Sequence, residues 1–355
     1  MKKICFITTS RADFSTLDEL IKETTKKNIF KVQLIISGSH NNKIFGKTDK
    51  EIKKNKKYQI KKIKLNFQNK DTKSVALSFS QCVNKFSKAL HELEPDLFIV
   101  FGDRYEMFAA SIAAYVLRIP IVHIAGGEKT IGSLDDGFRH SITKLSCLHF
   151  PVMEIYKKRL IQLGENPKTV FNFGSLNFSK IRNTKYLSKT ELEKKLKIKF
   201  LDKNLIVTYH PETIDNCKSI NNLSIILKAL KKIKNTLIII TSPNADAKGI
   251  LMIKHIKKFI NKNKFKNFLF FESLGSQIYL STLKIADGVV GNSSSGISEV
   301  HFFGIGTVNI GDRQSGRFKT NSVINCKFKE SSIVNSINKI MSSHFKKNLK
   351  IKINK

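Results

Sequence analysis

The chain lacks the features that would tie it to a membrane, a structural metal or a nicotinamide. No stretch approaches the ~18 consecutive apolar residues of a membrane span. The opening Met1-Lys-Lys-Ile-Cys-Phe-Ile-Thr-Thr9 ends its brief apolar run at a charged turn, so export is not expected. Cysteines are few, odd in number and widely spaced (Cys5, Cys82, Cys147, Cys217, Cys326), with no Cys-x-x-Cys. That argues for reduced thiols in a cytoplasm and against a structural zinc site. Cys5 and Cys147 lie in apolar runs and read as small core residues. After the first apolar run stands Thr9-Ser-Arg-Ala-Asp-Phe-Ser15 rather than G-x-G-x-x-G, and nowhere is there G-x-x-x-x-G-K-[ST]. The glycines that let backbone approach a dinucleotide pyrophosphate are therefore missing, and no P-loop is present. Neither metal nor cofactor is expected.

Acidic residues are scarce too: 28 Asp and Glu stand against 63 Lys and Arg, a formal charge of +35. Such a balance invites a nucleic-acid partner. The lysines, however, are spread through most segments, as in Lys53-Lys-Asn-Lys-Lys57, Lys194-Lys195 and Lys346-Lys347, with no basic–aromatic interleaving and no recognisable nucleic-acid module. No nucleic-acid partner is expected; a basic field serves equally to concentrate an anionic small substrate.

At 355 residues, 41% of them hydrophobic, the chain suits two α/β domains. In the first half, strands are expected at Ile4–Thr8, Phe30–Ser37, Leu97–Phe101 and Ile121–Ile124. Helices are expected at Phe14–Glu23, Thr72–Leu93 and Ala109–Leu117, with loop and then helix over Gly132–Leu148. The long helix carries its apolar positions at Val75, Leu77, Phe79, Val83, Phe86 and Leu90. The polar, Lys-rich stretch from Asn172 to Lys199 reads as a linker. A second alternation follows: strands at Leu205–Tyr209, Leu237–Thr241, Phe268–Phe271, Gly288–Gly291 and Thr307–Ile310, separated by helices, with Ser331–Met341 closing. Alternation of this kind implies parallel sheets with right-handed crossovers.

Chemistry collects at the predicted strand ends. Phe98-Ile-Val-Phe-Gly-Asp-Arg-Tyr-Glu106 and Pro120-Ile-Val-His-Ile-Ala-Gly-Gly-Glu128 begin as apolar runs and finish in charged or glycine-rich residues; Asp135-Asp-Gly-Phe-Arg-His140 follows. Ligands of parallel sheets bind just beyond the carboxyl ends of the strands. Asp103 is the leading acid–base candidate: partial desolvation favours its neutral form, while Arg104 favours the anion. The plainer reading is a surface pairing of Arg104 with Asp103 or Glu106. Glu128, Asp135 and Asp136 read either as further carboxylates of the site or as helix-cap charges. In the second half, Val289-Val-Gly-Asn-Ser-Ser-Ser-Gly-Ile-Ser-Glu299 ends a strand in small hydroxyl residues and opens a helix, a phosphate cradle in which Glu299 can meet a ribose diol. Plain N-capping by Ser294 or Ser295 is the alternative. Gly311-Asp-Arg-Gln-Ser-Gly-Arg317 adds guanidinium groups suited to a diphosphate. His210, fixed by Pro211, ends the first strand of this half. Asn244, at the next strand end, is either a turn residue or a neutral donor.

Taken in order and spacing, these motifs resemble the hydrolysing UDP-N-acetylglucosamine 2-epimerases of sialic-acid and related nonulosonate pathways, over nearly the whole chain. The resemblance implies an α/β fold of two Rossmann-like domains with parallel sheets, in a glycosyltransferase-B-like arrangement with an interdomain cleft. Residues 1–175 would form the amino-terminal domain bearing the catalytic carboxylates and 176–345 the UDP-binding domain, with 346–355 a basic tail. It implies elimination of UDP across C1–C2 to a glycal and rehydration with inversion at C2, giving N-acetylmannosamine and UDP. It further implies a cytoplasmic homodimer or homotetramer whose partner is a UDP-sugar. By motif, Asp103, Glu128, Asp135, Asp136 and His210 take catalytic positions. Arg11, Arg104, His123, Arg139, His140, Asn244, Ser294, Ser295, Gly296, Glu299 and Arg313 take substrate-binding ones.

One departure matters. Many members of that family carry a catalytic Glu where this chain has Ala125. Glu128 or Asp136 is expected to supply the missing carboxylate. Versions lacking that Glu resemble the subgroup acting on UDP- or GDP-linked N,N′-diacetylbacillosamine, which stands as the alternative substrate. A non-hydrolysing epimerase, a glycosyltransferase of the same architecture and a basic nucleic-acid-binding protein are the remaining alternatives.

Overall fold

Both halves of the chain solve one packing problem in the same way: the central strands are apolar on both faces and must be covered twice. In the computed structural model, which describes residues 1–41, 52, 58–65, 72–131, 133–212, 219–243 and 249–349, the first half begins with β1 (Lys2–Thr8), α1 (Arg11–Lys26), β2 (Phe30–Ile36), β3 (Tyr58–Lys62) and α2 (Thr72–Leu93). It continues with β4 (Leu97–Phe101), α3 (Tyr105–Val116), β5 (Ile121–Ile124), α4 (Asp135–Leu145), β6 (Leu148–Phe150), α5 (Glu154–Gln162) and α6 (Leu176–Asn183). The strands form one parallel sheet in the order β3-β2-β1-β4-β5-β6. Side chains alternate along each strand. Cys5, Ile7, Phe98 and Val100 therefore join a core with Phe86, Leu90, Ala109 and Ala113 on one face. Ile4, Phe6, Ile99 and Val122 join Phe14, Leu17 and Ile21 on the other. This double coverage is why the strands read as continuous apolar runs.

The second half holds α7 (Lys189–Leu196), β7 (Lys203–Thr208), α8 (Ser219–Lys231), β8 (Thr236–Thr241), α9 (Gly249–Asn263), β9 (Phe268–Phe271) and α10 (Ser276–Leu283). After these come β10 (Gly288–Gly291), α11 (Ser294–Ser298), β11 (Gly306–Ile310), β12 (Val323–Cys326), α12 (Glu330–Met341) and α13 (Ser343–Asn348). Its parallel order, β12-β11-β10-β7-β8-β9, repeats that of the first sheet strand for strand. Both are the doubly wound order in which strand sequence reverses at the centre, between β1 and β4 and between β7 and β10. The chain divides into two compact units, Met1–Lys129 with Leu134–Arg182, and Thr130–Ser133 with Asn183–Lys355.

Several sequence expectations need correction. The stretch read as a linker carries α6 and α7, and Leu192 of α7 is buried with Phe200, Leu237 and Ile239. The helix expected to run to Leu148 stops at Leu145, and Leu148 opens β6. Leu77, counted on the apolar face of α2, is exposed, and so is Cys147, whereas Cys5 is buried. Among the described residues no helix is long and apolar enough to cross a membrane.

Candidate active site

At the reversal point of the first sheet, β1 delivers the Thr9–Arg11 turn and β4 delivers Asp103. In a nucleotide-binding Rossmann unit the helix start after β1 would hold a phosphate. Here the protein's own carboxylate fills it. Buried Asp13 accepts hydrogen bonds from the Thr9 and Ser10 backbone N–H groups (3.1 and 3.0 Å) and from the Thr9 hydroxyl (3.0 Å). The Thr8 hydroxyl, itself 2.9 Å from His40 Nε2, reaches the same carboxylate. Ser10 closes a capping box with Asp13. Arg11 then occupies the first helical position, where the helix dipole disfavours a cation.

Arg139 of α4, only 1% exposed, joins two carboxylates of the first unit. Its Nη2 donates to the Asp103 carboxylate, and its Nη1 donates to Asp136 Oδ1 (3.1 Å) and to the Glu128 carbonyl (3.0 Å). Burial works to lower the pKa of this guanidinium; the fields of Asp103, Glu128 and Asp136 outweigh it and raise the value. Asp103 remains 19% exposed and Asp136 26%, so both carboxylates are held from below while open above. His140 Nε2 lies 3.6 Å from Asp136 Oδ2, and burial lowers the histidine's pKa against the pull of that carboxylate. Asp135, half-buried, starts α4 beside Asp136.

Two residues expected at the substrate are engaged elsewhere. Arg104 forks onto Glu106 (3.1 and 3.2 Å), as the plainer reading had it, but Glu106 is buried rather than a surface charge. His123 is wholly buried, with Nδ1 3.0 Å from the Thr143 hydroxyl and Nε2 2.9 Å from the Gly102 carbonyl. Burial drives its pKa down to about 4. It steadies the residue before Asp103 from within the core. Ala125, whose N–H donates to Phe150 O (3.0 Å), takes a left-handed conformation at φ 65°.

At the reversal point of the second sheet, β7 ends at Thr208, just before His210, and β10 at Gly291, just before Asn292 and the serines. Gly291, at φ 136°, approaches so closely that a Cβ would lie 1.9 Å from the Thr208 carbonyl. The N-cap of α11 is Ser293, without a side-chain cap bond, so neither Ser294 nor Ser295 is the capping residue. Ser295 instead donates to Glu299 Oε2 (2.6 Å) and meets the Tyr279 hydroxyl at 2.7 Å. Glu299 is buried; Tyr186 has its pKa raised by burial and by the Glu299 charge. The carbonyl of Gly296 accepts from the Thr307 hydroxyl (2.7 Å), which holds α11 against β11. The Arg313 guanidinium makes one hydrogen bond among the described residues, to the Asn292 carbonyl (3.3 Å), and its Nε is buried without an acceptor. Among the described residues no carboxylate forms an ion pair with it. Asn244 lies outside the described residues.

The sequence reading placed Asp13 and Asn292 within its motifs without giving either a role, and it missed His40, Thr143, Tyr186 and Tyr279 as parts of these sites. Only Asp13 carried a local signal, the Ser-x-x-Asp spacing of a capping box.

The chain is similar to known proteins in sequence and in fold. A family profile described as UDP-N-acetylglucosamine 2-epimerase matches residues 22–353. A GDP/UDP-N,N′-diacetylbacillosamine 2-epimerase (hydrolyzing) of Campylobacter jejuni is 43% identical over 348 residues, covering 98% of this chain and 89% of that protein. A UDP-N,N′-diacetylbacillosamine 2-epimerase (hydrolyzing) of Legionella pneumophila is 32% identical, covering 91% and 85%. The crystal structure of UDP-GlcNAc 2-epimerase from Neisseria meningitidis bound to UDP-GlcNAc shares the fold, with a TM-score of 0.78 at 18% identity over 98% of this chain and 94% of that one.

Proposed function

The chain belongs to the UDP-N-acetylglucosamine 2-epimerase family, and from that premise we propose that it is a hydrolysing 2-epimerase of nucleoside-diphosphate-linked N,N′-diacetylbacillosamine. The observation that carries the substrate is the kinship with the Campylobacter jejuni enzyme over nearly the entire chain. Ala125, in place of the carboxylate common in the wider family, agrees with it.

The reaction needs a base at the C2 hydrogen, a leaving nucleoside diphosphate at C1, and water. Loss of the C2 proton and departure of the diphosphate with the C1–O electron pair give a glycal. Water then returns a proton to C2 on the opposite face and hydroxyl to C1, so that one water is consumed and free 2-epimeric sugar and nucleoside diphosphate leave. Asp103 and Asp136 are the proposed acid–base pair, with Glu128 and Asp135 adjacent, and Arg139 holding the cluster's charge in place. Such carboxylates do the work that the missing Glu would do. Arg313, Ser294 and Ser295 are proposed to grip the diphosphate, His210 to stabilise the charge that develops on it as it departs, and Glu299 to hold the ribose diol, exchanging its bond to Ser295 for one to the ligand. Arg11 adds positive charge toward the leaving group. His140, beside Asp136, is proposed to touch the sugar. A cytoplasmic homodimer or homotetramer needing neither metal nor nicotinamide completes the reading.

The family profile's description keeps UDP-N-acetylglucosamine as a second reading. Purified protein supplied separately with UDP- and GDP-linked diacetylbacillosamine and with UDP-N-acetylglucosamine decides between them. At least about a tenfold higher kcat/KM is expected for a diacetylated substrate. Faster turnover of UDP-N-acetylglucosamine would reverse the assignment.

A further inference from the structure

The last register pair between β7 and β10 is Thr208 with Gly291. Beyond it one more backbone bond forms before the two segments lead toward different helices. Asn292 continues the ladder with its side chain. Its backbone N–H donates to the Thr208 carbonyl (3.2 Å). Its Oδ1 accepts from the His210 N–H (2.7 Å), and its Nδ2 donates to the His210 carbonyl (2.9 Å). One primary amide thus satisfies both backbone groups of one residue, as a neighbouring strand would, and it does so with Asn292 fully buried.

Resting on the functional reading above, we propose that Asn292 is the positioning residue for His210: it pins the histidine backbone at the point where the sheet opens, and so aims the imidazole at the diphosphate. Two neighbours make this pinning effective. Pro211 lacks an N–H and restricts the residue before it to extended conformations, so His210 is fixed from its carboxyl side too. Gly291 allows the close strand approach that brings a side chain as short as Asn within reach of His210. No other residue type serves. Asp can accept from the N–H, but turns a carboxylate oxygen toward the His210 carbonyl; Gln is a methylene too long; an apolar residue leaves both groups unpaired.

The carbonyl of Asn292 also accepts from Arg313 Nη1 and from Gln314 Nε2 (2.8 Å). The acceptor in that contact is the backbone carbonyl, which every substituted residue keeps. Replacing the side chain therefore severs the histidine arm while sparing the arginine arm, which makes the role separable.

Asn292→Ala, the isosteric Asn292→Asp, His210→Asn and the two double variants form the test. With nucleotide-sugar as substrate, each Asn292 variant is expected to lose about tenfold or more in kcat, with KM and the Kd for the free nucleoside diphosphate within about threefold of wild type. Placed in the His210→Asn background, the same change should cost less than about twofold further, because the residue through which it acts is already gone. An equal loss in both backgrounds, or a lowered Tm with unchanged kcat, overturns the proposal. A readout free of activity keeps the two claims apart. In ¹⁵N-histidine-labelled protein, the His210 ring resonances should shift or broaden in Asn292→Asp while those of buried His123 stay put. If the His210 signals do not move, the positioning role is wrong whatever the enzyme does. If wild type turns over no nucleotide-sugar but these signals do move, the functional reading fails and the positioning of His210 stands.

Discussion

The guanidinium of Arg139, on α4, donates to the carboxylate of Asp103 at the end of β4, and the same side chain holds Asp136 3.1 Å away. Two elements distant in sequence are thereby joined through one buried cation. Removing it strands two carboxylates at the sheet edge. Arg139→Met is expected to destabilise the fold by about 3–5 kcal/mol, since breaking a buried pair leaves uncompensated charge. Arg139→Lys should not restore turnover, because one ammonium nitrogen cannot reach the separate acceptors that Nη1 and Nη2 of the planar fork serve. Thermal unfolding and kcat of both variants, side by side, check this.

The proposed division of labour between the units predicts opposite kinetic signatures. Asp103→Asn should lower kcat by roughly 10²-fold with nucleoside diphosphate affinity near normal. Glu299→Ala should weaken that affinity and leave single-turnover chemistry at saturation largely intact. Calorimetric titration with UDP and GDP, paired with rapid-quench kinetics, reads both. A reversed pattern means that the acid–base and nucleotide-binding roles have been exchanged.

Much of this was legible in the sequence, for a physical reason. Strands buried on both faces announce themselves as apolar runs, and doubly wound sheets put chemistry at their carboxyl ends, so Asp103, His210 and Ser293–Gly296 could be located from pattern alone. What was missed falls into two kinds. β3 (Tyr58-Gln-Ile-Lys-Lys62) lies at the sheet margin, where half-exposed lysines mask the pattern, and β6 has only three residues. The partners of the candidate residues were hidden because they come from afar: nothing in the local sequence of Tyr279 says that it meets Ser295, or of Arg139 that it meets Asp103. Whether His123 faced a substrate or the core was equally invisible, since a strand buried on both faces gives no sign of which polar side chain has a partner within.

His123 makes the stability sensitive to acid. Its folded pKa is held down to about 4 by burial, from an ordinary value of 6.5, so at intermediate pH the unfolded chain binds a proton that the folded one does not. Stability attributable to this residue is full above pH 6.5, falls as the pH drops toward 4, and changes no further below that. The loss is on the order of 3 kcal/mol. His140, His149 and His301, also lowered chiefly by burial, act in the same sense. His123→Gln should therefore flatten, without abolishing, the fall of Tm between pH 7 and 4. A Tm profile parallel to wild type would count against a buried neutral imidazole.

Ala125 holds a left-handed backbone at φ 65° that costs an L-residue roughly 1–2 kcal/mol. Ala125→Gly is expected to recover up to about 1 kcal/mol of stability, measured by urea unfolding, with the 2-epimerase activity retained. A glycine variant less stable than wild type would mean that the methyl group packs more than the conformation strains.

The most direct measurement follows the fate of the substrate in D₂O. Wild-type protein with nucleotide-linked diacetylbacillosamine, and no acceptor, is watched by proton and phosphorus NMR. Proton removal at C2 with loss of the diphosphate at C1 should give free nucleoside diphosphate and a free 2-epimeric sugar carrying deuterium at C2, in equal amounts. A sugar still bearing its diphosphate, or one released with the original hydrogen at C2, would contradict it.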